Sequence, residues 1–156
     1  MKGNPKVIDA LNKALADELT AINQYMVHSE MCDNWGYKVL HEKIEKRAIT
    51  EMKHAERLIG RILFLEGIPI VSALNPIHIG KTVPEQFQKD LASEIDAIKN
   101  YQEYIKVCNE VGDAGTREVF VDLLQDEEGH ADEIEAQLDQ ISQMGTENYL
   151  ALQIGN

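Results

Sequence analysis

The sequence has few of the residues that define several other classes of protein. It contains two cysteines, four prolines and ten glycines among 156 residues. Two cysteines are too few for a disulfide framework, so we expect Cys32 and Cys108 to be apolar packing residues in a cytoplasmic protein. We expect neither a signal peptide nor a membrane-spanning segment, because no apolar run is long enough. The scarcity of proline and glycine leaves room for long helices.

Basic residues are also scarce. Lysine and arginine total 15 against 27 for aspartate and glutamate, which gives a formal net charge of −12. This charge argues against nucleic acid or an anionic membrane as a partner and favours cations, although a solvated acidic surface explains it equally well. The length predicts one domain, residues 1–156, and the content of 44% apolar and 27% charged residues is ordinary for a globular protein.

The most informative feature of the sequence is a repeated pair of residues. A glutamate and a histidine stand three positions apart at Glu51 and His54, and again at Glu127 and His130. On a helix this spacing places both side chains on one face. Another glutamate precedes each pair by 33 residues, and the second set follows the first by 76 residues. The chain therefore resembles two copies of one helix pair, with six candidate metal ligands: Glu18, Glu51, His54, Glu94, Glu127 and His130.

Apolar residues at helical spacing predict four long helices and a short fifth helix, at about 5–33, 37–66, 83–111, 114–143 and 146–154. Short turns join the first helix to the second and the third to the fourth, so each pair is expected to be antiparallel. The segment 67–82 has no helical period and is long enough to return along the whole bundle. These features predict an all-α, ferritin-like four-helix bundle with one long crossover.

The four glutamates fall in the apolar rows of these helices, where the pattern calls for leucine. Burying one unpaired carboxylate is costly, and four together repel one another, while Arg47 is the one inward base of the pattern. Two divalent cations would balance the four carboxylates and use both imidazoles, which suits iron, manganese or zinc. Tyr25 and Tyr101 stand two turns beyond Glu18 and Glu94, so either hydroxyl could hydrogen-bond a ligand carboxylate. The alternative is that these glutamates lie on the surface.

Five motifs support a resemblance to a known family: Asn23-Gln24-Tyr25, Asn34-Trp35-Gly36, Glu51-Met52-Lys53-His54-Ala55, Ile62-Leu63-Phe64-Leu65-Glu66-Gly67 and Asp126-Glu127-Glu128-Gly129-His130. Through them the whole chain resembles the bacterioferritins. The resemblance implies that the six candidate residues are the ligands of a di-iron ferroxidase site, in which Glu51 and Glu127 bridge two irons. One iron would also bind Glu18 and His54, and the other Glu94 and His130.

The resemblance implies further features that helical spacing alone does not. Met52 would ligate haem b, shared with the symmetry-related Met52 across a two-fold dimer interface, and its side chain points about 100° away from that of Glu51 on a helix. The subunits would form a hollow shell of 24 copies that stores ferric mineral, alone or mixed with a second ferritin subunit type. A small iron–sulfur ferredoxin would reduce the mineral for release. The chain departs from the family at Lys46 and Thr50, where many members have a His and an Asp that bind an additional iron.

The expected function is therefore that of a ferroxidase and iron store that uses O₂ or peroxide as the electron acceptor. Two other interpretations stay open. A di-iron oxidase or peroxidase acting on another substrate would predict a small oligomer with a substrate channel. A non-catalytic helical assembly, or a shell subunit with structural metals, would predict tight zinc binding without turnover.

Overall fold

The computed structural model describes residues 1–155, and it is all-α, as predicted. Among these residues no helix is long and apolar enough to cross a membrane. The five helices are α1 (Pro5–Asn34), α2 (Lys38–Phe64), α3 (Val83–Val111), α4 (Ala114–Met144) and α5 (Thr146–Ala151).

Side-chain caps define where three of the four long helices begin. Ahead of α4, the Asp113 carboxylate accepts a hydrogen bond from the backbone N–H of Thr116. The Asn4 side chain accepts a hydrogen bond from the backbone N–H of Lys6 ahead of α1, and Pro5 occupies the first position of the helix. The Thr82 hydroxyl accepts from the N–H of Glu85 ahead of α3. The Glu85 carboxylate accepts from the N–H of Lys81, one residue before the position that a standard capping box uses. Local capping therefore sets these starts independently of tertiary packing.

Two helices are shorter than the sequence pattern predicts. The prediction for the second helix, which ended at about residue 66, was wrong at that end. The helix α2 stops at Phe64, and Glu66 takes a left-handed conformation with φ of 61°. The N–H of Gly67 then bonds the carbonyl of Ile62, which closes the helix end. The fifth helix ends at Ala151 instead of 154. The N–H groups of Leu152 and Gln153 bond carbonyls three residues back, at Tyr149 and Leu150, instead of continuing the α-helical pattern.

The crossover between α2 and α3 runs along the whole of α1. It begins where the carbonyl of Leu65 accepts from Gly3, and α1 side chains then hold its backbone at successive turns. The contacts pair Asn12 with Ile70, Thr20 with Asn75, Gln24 with His78 and His28 with Gly80. Since the crossover returns from one end of the bundle to the other, α2 and α3 run parallel and the topology is ferritin-like, as predicted.

The core consists of two apolar clusters with a polar layer between them. One cluster contains Leu11, Leu58 and Phe120, and the other contains Ile44, Phe87 and Ile134, all at most 1% exposed. Every long helix crosses the polar layer between the two clusters. The helix α5 covers the end of the second cluster: Tyr149 packs against Phe87 and donates a hydrogen bond to Gln137.

Candidate metal centre

The four helices bring all six predicted residues together in the polar layer. Glu18 lies on α1, Glu51 and His54 on α2, Glu94 on α3, and Glu127 and His130 on α4. The four carboxylates are at most 2% exposed, and the side chains of the two histidines are 5% and 15% exposed. The alternative in which these glutamates lie on the surface is therefore wrong.

The donor atoms form two overlapping groups. Ligand atoms of Glu18, Glu51, His54 and Glu127 lie within 4.8 Å of one another, and so do those of Glu51, Glu94, Glu127 and His130. Glu51 and Glu127 belong to both groups. The geometry thus offers two neighbouring positions for metal ions with two carboxylates common to both.

Both imidazoles present Nδ1 to the carboxylates. Nδ1 of His54 lies 3.0 Å from Glu127 and 3.5 Å from Glu51, and Nδ1 of His130 lies 2.9 Å from Glu51 and 3.5 Å from Glu94. The two rings are nearly parallel, with their centroids 6.4 Å apart. This arrangement is what we expect if each metal position has one imidazole ligand.

Many donor atoms in this layer have no hydrogen-bond partner among the described residues. Buried polar atoms are nearly always hydrogen-bonded, so such a concentration of unsatisfied atoms needs an explanation. A pair of cations fits them, because the atoms are carboxylate oxygens and imidazole nitrogens that converge on common points. These atoms are Oε2 of Glu18, both carboxylate oxygens of Glu51, Nδ1 of His54, Oε2 of Glu94, Oε1 of Glu127 and Nδ1 of His130.

The carboxylates differ in their electrostatics. Burial raises the pKa of Glu51 and Glu127 well above the usual carboxyl range, and the charge of nearby Glu18 raises both further. Burial acts in the same direction on Glu94, but the close contacts with Glu127 and His130 and the hydrogen bond from Tyr25 outweigh burial and lower the pKa of Glu94. Without metal, the layer therefore favours the protonated form of the two carboxyl groups that both metal positions share.

The pKa values of the two histidines are also raised, but here burial opposes the shift and the neighbouring carboxylates cause it. Burial alone would lower the pKa of His54 and His130, because it disfavours the imidazolium. The surrounding carboxylates outweigh burial, Glu127 most strongly at His54 and Glu94 most strongly at His130, and the net effect raises both pKa values. Metal ions entering the layer would displace these protons.

Two tyrosines hydrogen-bond the outer carboxylates across the bundle. Tyr25 on α1 donates to Oε1 of Glu94 on α3, and Tyr101 on α3 donates to Oε1 of Glu18 on α1. Burial, together with the neighbouring negative charges, raises the pKa of both hydroxyls, so they stay protonated donors. Each bond occupies one carboxylate oxygen and leaves Oε2 for a metal ion. The hydrogen bonds expected from the spacing are therefore present in reciprocal form.

Sequence reasoning missed the residue that orients His54. Asp126 on α4 accepts from Nε2 of His54 at 2.8 Å. When a metal ion displaces the proton of Nδ1, this hydrogen bond keeps the other proton on Nε2 and directs the lone pair of Nδ1 at the carboxylate layer. Asp126 is 56% exposed and belongs to an acidic stretch, so nothing in the apolar pattern distinguishes it.

Sequence reasoning also missed a buried polar network beside Tyr25. His28 accepts at Nε2 from the N–H of Gly80 at 3.0 Å, so its proton lies on Nδ1 and is donated to Asp90 at 2.8 Å. Gln24 donates to the same oxygen of Asp90 at 2.9 Å. Arg47 is buried, as the inward pattern predicted, with its guanidinium 3.9 Å from Asp90 and 5.4 Å from the centroid of the Tyr25 ring. The network ties the crossover to the helices that carry the centre.

Two pockets reach the centre from opposite faces of the bundle. A pocket of about 640 Å³ lies between α1 and α3 under the crossover and is lined by Glu18, Glu51 and Glu127 of the centre. A second pocket, of about 410 Å³, lies between α2 and α4, and His130 is the residue of the centre that lines it. We refer to them as the α1/α3 pocket and the α2/α4 pocket.

The fold and the carboxylate–histidine layer define a ferritin-like protein, and the family model for the ferritin-like domain matches residues 8–144. The chain is 45% identical to the Bacterioferritin of Brucella melitensis over 149 residues, which cover 96% of this chain and 92% of that protein. It is 44% identical to the Bacterioferritin of Rhodobacter capsulatus over 152 residues, 97% and 94% of the two chains. It is 43% identical to the Bacterial ferritin of Synechocystis over 155 residues, 99% of each chain. The chain belongs to the bacterioferritin family.

Proposed function

We propose that this protein stores iron and oxidises Fe²⁺ to Fe³⁺ at the carboxylate–histidine centre. The observation that supports the proposal most strongly is the pair of overlapping donor groups, whose buried atoms have no other partner among residues 1–155. Family membership supports storage, since it relates the chain to proteins named for iron binding.

In this proposal two Fe²⁺ ions are substrates that occupy the two positions. Glu18 and His54 bind one ion, Glu94 and His130 bind the other, and Glu51 and Glu127 bridge both. Two iron ions give up one electron each, and O₂ or peroxide accepts both electrons. With O₂, two protons are consumed and one hydrogen peroxide forms. With hydrogen peroxide, two protons are consumed and two water molecules form. The carboxylates stabilise the added positive charge of Fe³⁺, and oxygen ligands suit this harder ion.

The α1/α3 pocket is the proposed route of Fe²⁺ to the centre. It carries Asp17 and Asp96 beside the three glutamates of the centre, against the two bases Lys89 and Lys99. Asp17 accepts hydrogen bonds from Tyr104 at 2.8 Å and from Asn75 at 2.7 Å, which fix its carboxylate beside the pocket. An acidic passage raises the local concentration of cations.

The proposal is tested by mixing Fe²⁺ with the metal-free protein in air and following the ferric product by stopped-flow absorbance. Glu51→Gln removes one bridging carboxylate at constant size and is expected to slow the fast phase by more than about a hundredfold, beyond what a supporting residue contributes. Glu56→Gln, an exposed position on the same helix, is the matched control and should leave the rate unchanged. A fast phase that survives both Glu51→Gln and His130→Ala would refute the assignment.

We further propose that Met52 binds haem b together with the symmetry-related Met52 of a second copy. Met52 is 44% exposed on α2, and Ile49 on the same helix is 43% exposed, so this part of α2 presents apolar surface beyond the folded core. Haem would supply one-electron transfer to stored iron. A red protein whose Soret band disappears in Met52→Leu, and persists in Ile49→Leu, is the expected result. A colourless protein after expression with ample haem would contradict the proposal.

We propose that the subunits assemble into a shell of 24 copies built from two-fold dimers, alone or with a second ferritin subunit type. An iron–sulfur ferredoxin is the proposed reductant of the stored iron. The proposed location is the cytoplasm. Native mass measured together with metal content on one purified sample tests the shell. A small oligomer that turns over another substrate would favour a di-iron oxidase, and tight zinc without turnover would favour a structural role. The additional iron position that the family resemblance implies is left out of this proposal, because Lys46 and Thr50 offer neither an imidazole nor a carboxylate.

A further inference from the structure

The two metal positions of the proposed centre have matching ligands, but their histidines are held differently. Nε2 of His54 donates to Asp126 at 2.8 Å, and Asp126 stands four residues before His130 on α4. The matching position, four residues before His54 on α2, is Thr50. Thr50 donates its hydroxyl to the carbonyl of Lys46 at 3.1 Å and offers no carboxylate. Within residues 1–155 every polar contact of His130 is made through Nδ1 and none through Nε2.

The two histidines also differ in how far they are enclosed. The side chain of His54 is 5% exposed, whereas that of His130 is 15% exposed and lines the α2/α4 pocket. An imidazole that is already held by a partner loses less freedom when it binds a metal ion, and drier surroundings strengthen its electrostatic interactions. Both effects favour metal binding at His54 over metal binding at His130.

The acidic α1/α3 pocket reaches the same position first. The three residues of the centre that line this pocket are Glu18, Glu51 and Glu127, and all three belong to the donor group of His54. The two ligands that are specific to the other position do not line it. A cation attracted into the pocket therefore meets the position of Glu18 and His54 before the other position.

The remaining ligands do not distinguish the two positions. Glu51 and Glu127 are common to both, and each outer carboxylate accepts a hydrogen bond from one tyrosine. The difference in affinity is therefore expected from the support of the histidines. A partner of this kind typically contributes about 10–100-fold to metal affinity.

We propose that Glu18 and His54 form the primary metal position, which binds the first divalent cation, and that the position of Glu94 and His130 fills second. Asp126 is the positioning residue that sets this order. The inference rests on the proposed metal centre, but it concerns binding and requires no oxidation. In the proposed reaction the first Fe²⁺ then waits for the second, so the dependence of the oxidation rate on Fe²⁺ concentration follows the affinity of the weaker position.

The test measures how much zinc each position holds when zinc is limiting. The assembled, metal-free protein is loaded with one Zn²⁺ per chain and crystallised, and anomalous scattering at the zinc edge gives both occupancies. If two independent positions share one zinc per chain, a 10–100-fold difference in affinity gives an occupancy ratio of about three to ten. We expect a ratio in this range, in favour of the position of Glu18 and His54.

A matched pair of variants tests the cause of the order. Thr50→Asp supplies a carboxylate at the position that matches Asp126 and should bring the occupancy ratio close to about one, because His130 then gains the same support. Thr50→Asn is the uncharged control of the same size and should keep the parent ratio. A parent ratio of about one, a higher occupancy at His130 than at His54, or a parent ratio that survives in Thr50→Asp would overturn the proposal.

This outcome is separable from that of the proposed function. Zn²⁺ is not oxidised, so the order of filling holds or fails whatever the rate of Fe²⁺ oxidation. Equal occupancies would remove the order and leave the metal centre in place, whereas zinc at neither position would overturn both the order and the centre.

Discussion

The two halves of the chain supply the same ligands to the centre but surround them differently. Positions 76 residues apart match at each of the six metal-facing residues, yet Asp126 corresponds to Thr50, Asp90 to Ala14 and Arg47 to Leu123. The difference places a carboxylate behind His54, whereas the matching position near His130 is Thr50, which offers none. Duplication thus preserves the atoms that face the metals, while the supporting residues make the two positions chemically unequal.

The largest effect is expected from breaking the network that only one half has. Asp90→Ala leaves Arg47 with an uncompensated buried charge and removes the acceptor of His28 and Gln24. Removing one partner of a buried charged pair costs about 3–5 kcal/mol, so a loss of this size is expected in urea unfolding of the metal-free protein. Asp96→Ala, an exposed position on the same helix, is the control. A loss below about 1 kcal/mol, that of one ordinary hydrogen bond, would show that water replaces the pair.

The second prediction concerns the residue that distinguishes the two histidines. Asp126→Asn keeps the size of the side chain but removes its charge, which weakens the hydrogen bond that it accepts from Nε2–H of His54. The affinity for Zn²⁺ at the position of Glu18 and His54 should fall by about 10–100-fold, and the other position should keep its affinity. In a Zn²⁺ titration, the step assigned to the position of Glu18 and His54 should therefore move to higher Zn²⁺ concentration, while the other step stays in place. Asp132→Asn, exposed on the same helix, serves as the control, and an unchanged titration would contradict the role of Asp126.

The third prediction concerns pH. Burial and carboxylate repulsion raise the pKa of Glu51 and Glu127, and neighbouring carboxylates raise the pKa of His54 and His130. In the metal-free protein the folded state therefore retains protons that the unfolded chain releases. Stability should decrease as pH rises above about 4.3, the ordinary pKa of glutamate, and more steeply above about 6.5, that of histidine. Metals replace those protons, and Zn²⁺ should reverse the trend. Thermal unfolding across this range measures both slopes, and a metal-free protein that gains stability with pH would contradict the electrostatic account.

The sequence predicted the features that leave a periodic signal. Four glutamates in apolar rows are visible because burying them violates the pattern, and the 76-residue offset identifies their partners. Asp126 and Asp90 leave no such signal. Asp126 is a half-exposed residue among other acids, and Asp90 depends on how α1, α3 and the crossover meet, which no local spacing encodes. The end of α2 was mispredicted because Glu66, in the left-handed conformation, has an ordinary helix-forming side chain.

The smallest effect is expected from the two tyrosines, the feature that the halves share most closely. Tyr25→Phe and Tyr101→Phe each remove one hydrogen bond to Glu94 or Glu18 without changing the ring. Each should lower the affinity for Zn²⁺ at the position it supports by about fivefold, in line with the roughly 1 kcal/mol of an ordinary intramolecular hydrogen bond. Because each tyrosine serves the opposite half, Tyr25→Phe should weaken the position of His130, and Tyr101→Phe that of His54. Histidine-resolved NMR or an anomalous crystal map of each variant would show which position loses metal, and the reverse pairing would contradict the reciprocal arrangement.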